Sequence, residues 1–401
     1  MTTAILPLAS LLFAALLFQP RLLKAPLWRA TITPLASIIG SGFLVAGPIL
    51  AHTAGTLAFV AMFALCAVAY LFGVAIRHNI LYIEPQLNRE PPLLVSTLER
   101  GADLALSLAY FVSVAYYLNL FAAFGLRLGE IVDPFWIRWA STIAIAGIGT
   151  IGAFGGLAAL ERLTEAAVSL KLSLIGGVVA ALAVTTVIAF GSGNLHWPLA
   201  EHARGTQEIR VLLGLVILVQ GFETSRYLGI AHDAETRVRT MRWAQWISTA
   251  IYVTFVLLIT RYFRGNLPKM GGETAIIDML APLGLTLAPA IIAMALASQL
   301  SAAVADMAGG GGLIAELARK RLSAKSGYLI IALAAIAITW TANIYQIIVY
   351  ASKAFVAYYA LQSAQAALSA WRLGQHVRAC LFILGVTLAL TIIVFAIPAT
   401  V

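Results

Sequence analysis

Charge is what this chain has least of. Asp, Glu, Lys and Arg together make up 11% of its 401 residues, where an ordinary soluble domain carries about 25%, so a water-soluble globule is excluded. Cysteine is nearly as scarce. Cys66 and Cys380 lie in separate apolar stretches with no CxxC or metal-ligand spacing, which implies neither a disulfide nor a zinc site. The sequence has no HExxH, GxSxG or nucleotide-binding loop, and its six histidines are scattered. A membrane enzyme is therefore not expected, an ATP-driven pump would lack its ATPase domain, and no cofactor is implied. No positive charge precedes the first apolar stretch, MTTAILPLASLLFAALLF, whereas Arg21, Lys24 and Arg29 follow it. That order describes a retained short helix and not a signal peptide.

What the chain has in abundance is apolar surface. With 61% hydrophobic residues and a mean hydropathy of +0.93 it reads as an all-α, polytopic membrane protein. At about 20 apolar residues per crossing, spans are expected near 3–19, 30–53, 55–76, 101–126, 135–154, 163–190, 209–231, 243–262, 284–316, 328–341, 344–369 and 379–398. They are called helices 0 to 11. Lys and Arg alternate sharply between the connecting loops: sixteen fall on one side, including Arg77, Arg89, Arg100, Arg162 and Arg321, and seven on the other. The start of helix 1 is thereby assigned to the cytoplasm, and a multi-pass protein of a bacterial inner membrane is expected. The same loops account for the net charge of +9, so nucleic acid is not an expected partner; the lipid bilayer is.

Helix 1 contains LASIIGSGFLVAGPILA, with Gly40, Ser41 and Gly42 where an unbroken helix would carry larger residues. Helix 6 is interrupted at QGFETS by Gly221, Glu223, Thr224 and Ser225. Gly40 and Gly221 are 181 residues apart, and the intramembrane lysines Lys171 and Lys353 are 182 apart. Two copies of five helices fit these offsets, and an odd number of crossings per copy makes the second inverted. Matched interruptions in two halves point to a transporter site. Gly40 lies 11 residues beyond Arg29, roughly 16 Å into a core of about 30 Å, which is the midplane. The expected division is 1–28 for an extra N-terminal helix and basic loop, 29–200 and 201–371 for the two repeats, and 372–401 for helix 11.

The physical reading of the site follows from the breaks. Unwinding at Gly40 to Gly42 would free N–H groups at the start of a half-helix, an anion site to which Ser41 adds a hydroxyl; alternatively, the small residues allow close helix packing. Freed carbonyls would suit an amine, so a zwitterion fits. Glu223 faces that amine, caps the second half of helix 6, or neutralises Arg226 at i+3. Lys353 pairs with Asp306 or faces a cavity. Ionisable groups inside a membrane are functional candidates. Tyr110, Tyr116 and Tyr117 on helix 3 either line the pocket or serve as packing.

IIGSGFLVAGPILAHTAG resembles the helix 1 signature of the amino acid, polyamine and organocation (APC) superfamily, and VILVQGFETSRYLGIAHDAETRVR resembles its helix 6 GFE motif and the loop that follows. ALERLTEAAVSLKLSLIGG is similar to the helix 5 of that family, with Lys171 at its intramembrane lysine. The resemblance runs through helices 1 to 10 and implies a LeuT-like five-plus-five inverted repeat with broken helices 1 and 6. It implies a secondary active transporter of amino acids or related small amines working by alternating access. Gly40, Ser41, Gly42, Gly221, Phe222, Glu223 and Tyr110 are the candidate substrate residues. The resemblance also implies that the Lys171 ammonium stands where sodium-coupled relatives hold the ion, with Ser298 and Ser301 as oxygen partners and protons, or exchange, as the coupling. The sequence departs from the family at Ile217, where a bulky aromatic gate is usual, at Thr236-Arg237 in place of Asn-Pro, and at AGGGG in helix 8. The alternative is a transporter-like sensor, channel or accessory subunit without active transport.

Overall fold

The computed structural model describes residues 2–19, 21, 25–87, 89, 91–195, 205–228, 232–263, 272–284, 287–319 and 321–399, with the side chains of 2–5, 41 and 157–169 left aside. Among the described residues every regular element is helical. Among the described residues, nine helices are long and apolar enough to cross a membrane. Twelve spans were expected. The three that fall short are helix 0 (Thr2–Leu17), helix 1 and helix 6, and the last two are short because they are broken. Helix 0 has 16 residues, about 24 Å at 1.5 Å each, less than the hydrocarbon thickness of about 30 Å.

Helix 1 consists of Pro26–Ser41 and Phe43–Ala54. Helix 2 is Ala58–Tyr82, ending six residues later than expected. Arg77 therefore belongs to a helix and not to a loop: it is buried, donates to Gln245 and lies 4.7 Å over the Tyr70 ring. Helix 3 is Leu93–Leu126, helix 4 Pro134–Gly155 and helix 5 Leu157–Gly191. Helix 6 is in pieces, an α segment Thr206–Leu213 followed by 3₁₀ segments Val216–Val219 and Phe222–Leu228. Helices 7 to 11 are Ala234–Thr260, Leu287–Leu317, Ala324–Thr341, Ile344–Arg372 and His376–Phe395. The starts of helices 4, 7, 9 and 10 are cut by side-chain caps: Asp133, Asp233, Ser323 and Asn343 each accept a hydrogen bond from a first-turn N–H, satisfying donors that have no partner within the helix.

Packing follows the offset of five. Helix 1 packs on 6, 2 on 7, 3 on 8 and 4 on 9, while helix 5 packs on 8 and helix 10 on 3. Two copies related by a pseudo-two-fold axis would produce this pattern, because exchanging the copies maps each of the first four pairs onto itself and turns the 5–8 pair into the 10–3 pair. Helix 0 lies against helix 5, and its close approach is set by two glycines: side chains at Gly176 and Gly177 would run into Phe13 and Ser10.

Candidate functional site

The interruption in helix 1 is a single residue. Gly42 alone leaves the helix, at φ −103° and ψ −15°, so the expected opening over Gly40 to Gly42 is narrower than the glycine spacing suggested. Gly42 is small because the Leu218 main chain of helix 6 stands where its Cβ would be. The half-helix that starts at Phe43 has no side-chain cap. Ser41 keeps its place at the end of the first half, and its side chain lies outside the described residues.

The last four carbonyls before this break, from Ile38 on, have no donor in their own helix, and side chains of other helices reach them and the turn before. Ser298 of helix 8 donates to the Gly40 carbonyl at 2.6 Å. Lys171, 1% exposed, donates through Nζ to the Ala36 carbonyl at 2.6 Å and to Ser301 Oγ at 2.9 Å. A Cβ on Gly40 would sit 3.5 Å from that same Nζ. Gly40, Lys171, Ser298 and Ser301 therefore form one cluster: an ammonium held by oxygen atoms of helices 1 and 8. Of the two serines, Ser301 touches the lysine, and Ser298 holds the helix end.

Helix 6 breaks more widely. Gln220 is extended and Gly221 has φ +115°, a region that L side chains rarely adopt, and a Cβ there would lie 2.7 Å from the main chain of Ser37 and Ile38. Glu223, fully buried, accepts from the Gly221 N–H at 3.0 Å and from the Tyr359 hydroxyl at 2.8 Å, while its Oε1 has no partner. Phe222 stacks on the Tyr359 ring, centroids 5.1 Å apart. Of the three readings of Glu223, the pair with Arg226 is not formed. Arg226 turns to Glu99 of helix 3 at 2.7 Å and to Glu84 at 3.7 Å, and Arg237 forks onto Glu84 at 2.6 and 3.0 Å. Two acids lying nearer the loops outcompete the one at the break, whose carboxylate is occupied by a freed N–H.

Asp306 of helix 8 is buried and accepts from Ser113 of helix 3. It is not paired with Lys353, which is half-buried and has no ion pair among the described residues. Tyr110 packs its ring on Gly309 and Gly310 and edge-on to Phe355 at 6.0 Å, and side chains at Gly310 and Gly311 would also run into Ile331 and Tyr328 of helix 9. Tyr117 receives a hydrogen bond from Gln220, and Tyr116 lies tilted beside it at 5.2 Å.

Three contributors were absent from the sequence reading. Tyr252 of helix 7 places its hydroxyl 3.0 Å from the Ile38 carbonyl and 2.7 Å from that of Leu218, bridging both breaks. Ser352 of helix 10 accepts from the Ile217 N–H at 3.0 Å and donates to the Gly214 carbonyl at 2.7 Å. Tyr359 is the third. A buried Tyr or Ser on a helix facing a glycine-marked break is the available signal, and it needs the packing to be read.

A family profile described as APC superfamily transporter matches residues 20–396. An uncharacterized protein of Aquifex aeolicus (strain VF5) is 39% identical over 389 residues, 96% of this chain and 93% of its own length. Among solved structures, a manganese transporter of Eremococcus coleocola superposes with a TM-score of 0.57 at 14% identity, covering 93% of this chain and 88% of its own. Mhp1, a nucleobase-cation-symport-1 family transporter in a closed conformation with bromovinylhydantoin bound, gives 0.52 at 12% identity, covering 92% and 91%. These neighbours have the LeuT fold, and at such identities they speak for the fold alone. The chain is a multi-pass membrane protein that belongs to the APC superfamily of transporters.

Proposed function

We propose that this transporter carries amino acids or related small amines and zwitterions by alternating access, driven by protons or by exchange. The observation that carries the reading is the Lys171 cluster. An ammonium donating to Ala36 and Ser301 and lying beside Gly40 fills a small oxygen cage between helices 1 and 8, and a sodium ion in the same cage would meet repulsion worth several kcal/mol at low dielectric. A lysine deprived of water is also a group that can bind and release a proton. The uncapped start of the half-helix at Phe43 suits a carboxylate, and Glu223 Oε1 suits an amine. In this reading the repeats divide the chain at 29–200 and 201–371, the start of helix 1 faces the cytoplasm, and the membrane is the inner membrane of a bacterium.

The test is uptake into proteoliposomes, screening amino acids, amines and organic acids under separately imposed proton and sodium gradients. A proton gradient is expected to accelerate uptake and sodium to have little effect. Lys171→Ala is expected to abolish the proton acceleration, and Lys171→Arg to stall turnover, since Arg does not release its proton near neutral pH. Strong sodium dependence of the wild type, or unchanged pH dependence in Lys171→Ala, overturns the coupling. Orientation is tested by cysteines at Ser323 and Thr206 in a cysteine-free background, which are expected to label from opposite sides, position 323 only from the cytoplasm.

A further inference from the structure

Buried polar atoms without a partner are uncommon in folded proteins, and each one calls for an explanation. Of the sixteen among the described residues, six lie along one strip. Among the described residues, Glu223 Oε1, Gln362 Nε2, Ser363 Oγ, Asn79 Oδ1, Gln365 Oε1 and His78 Nδ1 all lack a hydrogen-bond partner, and every one of these residues is no more than 5% exposed. They follow helix 10 and the face of helix 2 that packs on it. The strip begins at Tyr359, which donates to Glu223. One turn on, Asn79 donates to both the carbonyl and the Oε1 of Gln362, at 2.8 and 2.7 Å. Two turns further, His78 Nε2 lies 3.1 Å from Ser369 Oγ. Gln365 and Ser369 then line a cavity of about 70 Å³ that reaches Arg372, at the end of helix 10 assigned to the cytoplasm. From Tyr359 to Ser369 is ten residues of continuous helix, about 15 Å.

Polar residues at 359, 362, 363, 365 and 369 repeat at helical spacing, in a membrane helix whose other faces bury Ala and Val. Packing alone does not call for them, since apolar side chains of the same size would satisfy it without stranding donors and acceptors. Buried sites with two to four polar partners hold ordered water, and the cavity at the cytoplasmic end of the strip, beside Gln365 and Ser369, has room for it. We propose that a hydrated polar strip along helices 2 and 10 connects the cytoplasmic face to Glu223, and that Glu223 exchanges its proton with the cytoplasm through it. The proposal rests on the proton-coupled reading above and adds to it a second proton-carrying group, separate from Lys171, with its own route to water.

The groups around Glu223 leave it as the acceptor at the head of this route. Helix 10 presents Tyr358 and Tyr359, helix 3 presents Tyr110, and helix 8 presents Asp306, already bonded by Ser113. On helix 6 itself Arg226 is committed to Glu99 and Glu84. Helix 2 presents Arg77, held by Gln245, and helix 7 presents Tyr252, held at the two breaks, and Arg237, forked onto Glu84. The first half of helix 1 offers only Arg29, which is exposed. No cation is paired with the Glu223 carboxylate among the described residues.

Two measurements on the reconstituted full-length protein test this without any transported substrate, so their failure is separate from failure of the coupling. Hydroxyl-radical footprinting oxidises buried side chains that lie beside bound water. His78 and Tyr359 are expected to be oxidised about tenfold faster than Tyr116, which is equally buried away from the strip; oxidation at the Tyr116 rate overturns the hydrated strip. Difference infrared spectroscopy after a pH jump on the cytoplasmic side then follows the carboxyl band that Glu223→Gln removes. In Gln362→Leu the band is expected to respond about tenfold more slowly, the effect of losing one hydrogen-bonded step, and Ser363→Ala, a gentler change, is expected to slow it in the same direction. A band that tracks pH equally fast in both variants, or no band assignable to Glu223, overturns its proton exchange through the strip.

Discussion

The two broken helices sit at matching places in the sequence and are built in opposite ways. Helix 1 is interrupted by one residue, Gly42, and is held from outside: Ser298 of helix 8 covers the loose Gly40 carbonyl, and Lys171 of helix 5 bonds Ala36 one turn earlier. Helix 6 is opened over several residues and is closed at Gly221 from within, where Glu223 takes the Gly221 N–H and the Thr224 hydroxyl donates to the Gly221 carbonyl at 2.7 Å, while Ser352 and Tyr252 of helices 10 and 7 hold its earlier turns. A break closed by its own neighbours in sequence travels intact when the helix moves. One closed by other helices is remade whenever those helices shift, so the helix 1 break is the place where movement of helices 5 and 8 is felt.

The difference can be broken most severely at Gly221. Gly221→Ala forces a positive φ on a side chain and drives its Cβ into Ser37 and Ile38, a loss on the order of 3 kcal/mol, visible as a lower thermal midpoint and yield. Gly40→Ala meets only Ala302 Cβ at 3.2 Å and the end of Lys171 and is expected to cost about 1 kcal/mol. Equal losses at the two glycines would remove the distinction. Tyr252→Phe strips a donor shared by both breaks and is expected to lower stability by about 1 to 3 kcal/mol in chemical denaturation. Ser298→Ala acts on helix 1 alone and Thr224→Val on helix 6 alone; each is expected to cost about 1 kcal/mol, but only Ser298→Ala should alter hydrogen-exchange protection in helices 5 and 8. The smallest effect is at Asp233, which caps helix 7, the carrier of Tyr252. The Thr236 hydrogen bonds hold its carboxyl below the usual carboxylate range, so its contribution is present above the unfolded value of about 3.9 and is lost as pH falls through the lower folded value. The gap in thermal midpoint between the wild type and Asp233→Asn is expected to be small at pH 7 and to close on that descent.

Sequence reading reached the breaks, the buried lysine and the offset between copies because each of these is local: a glycine in an apolar run, or a cation where lipid forbids one. It misjudged what depends on competition between distant groups. Glu223 and Arg226 are three apart, a spacing that favours pairing in a helix, yet Arg226 pairs with Glu99 and Glu84, residues more than 120 positions away whose proximity only the fold creates. Arg77 read as a loop cation because charge ends a hydropathy window, although Gln245 and Tyr70 keep it inside helix 2. AGGGG of helix 8 departs from the family pattern, and the close approach of Tyr110 and Tyr328 that its glycines permit exists only in the fold.

Tyr252 has one hydroxyl hydrogen and two carbonyls within reach, at Ile38 and at Leu218. It can donate fully to only one of them at a time. While the two broken helices stay side by side, the hydrogen is divided or alternates between them at little cost. When they part, it must go with one, and the abandoned carbonyl has to find another donor or water. Were helices 1 and 6 to separate in the proposed cycle, this side chain would act as a single-vote arbiter, leaving one named acceptor, Ile38 or Leu218, open.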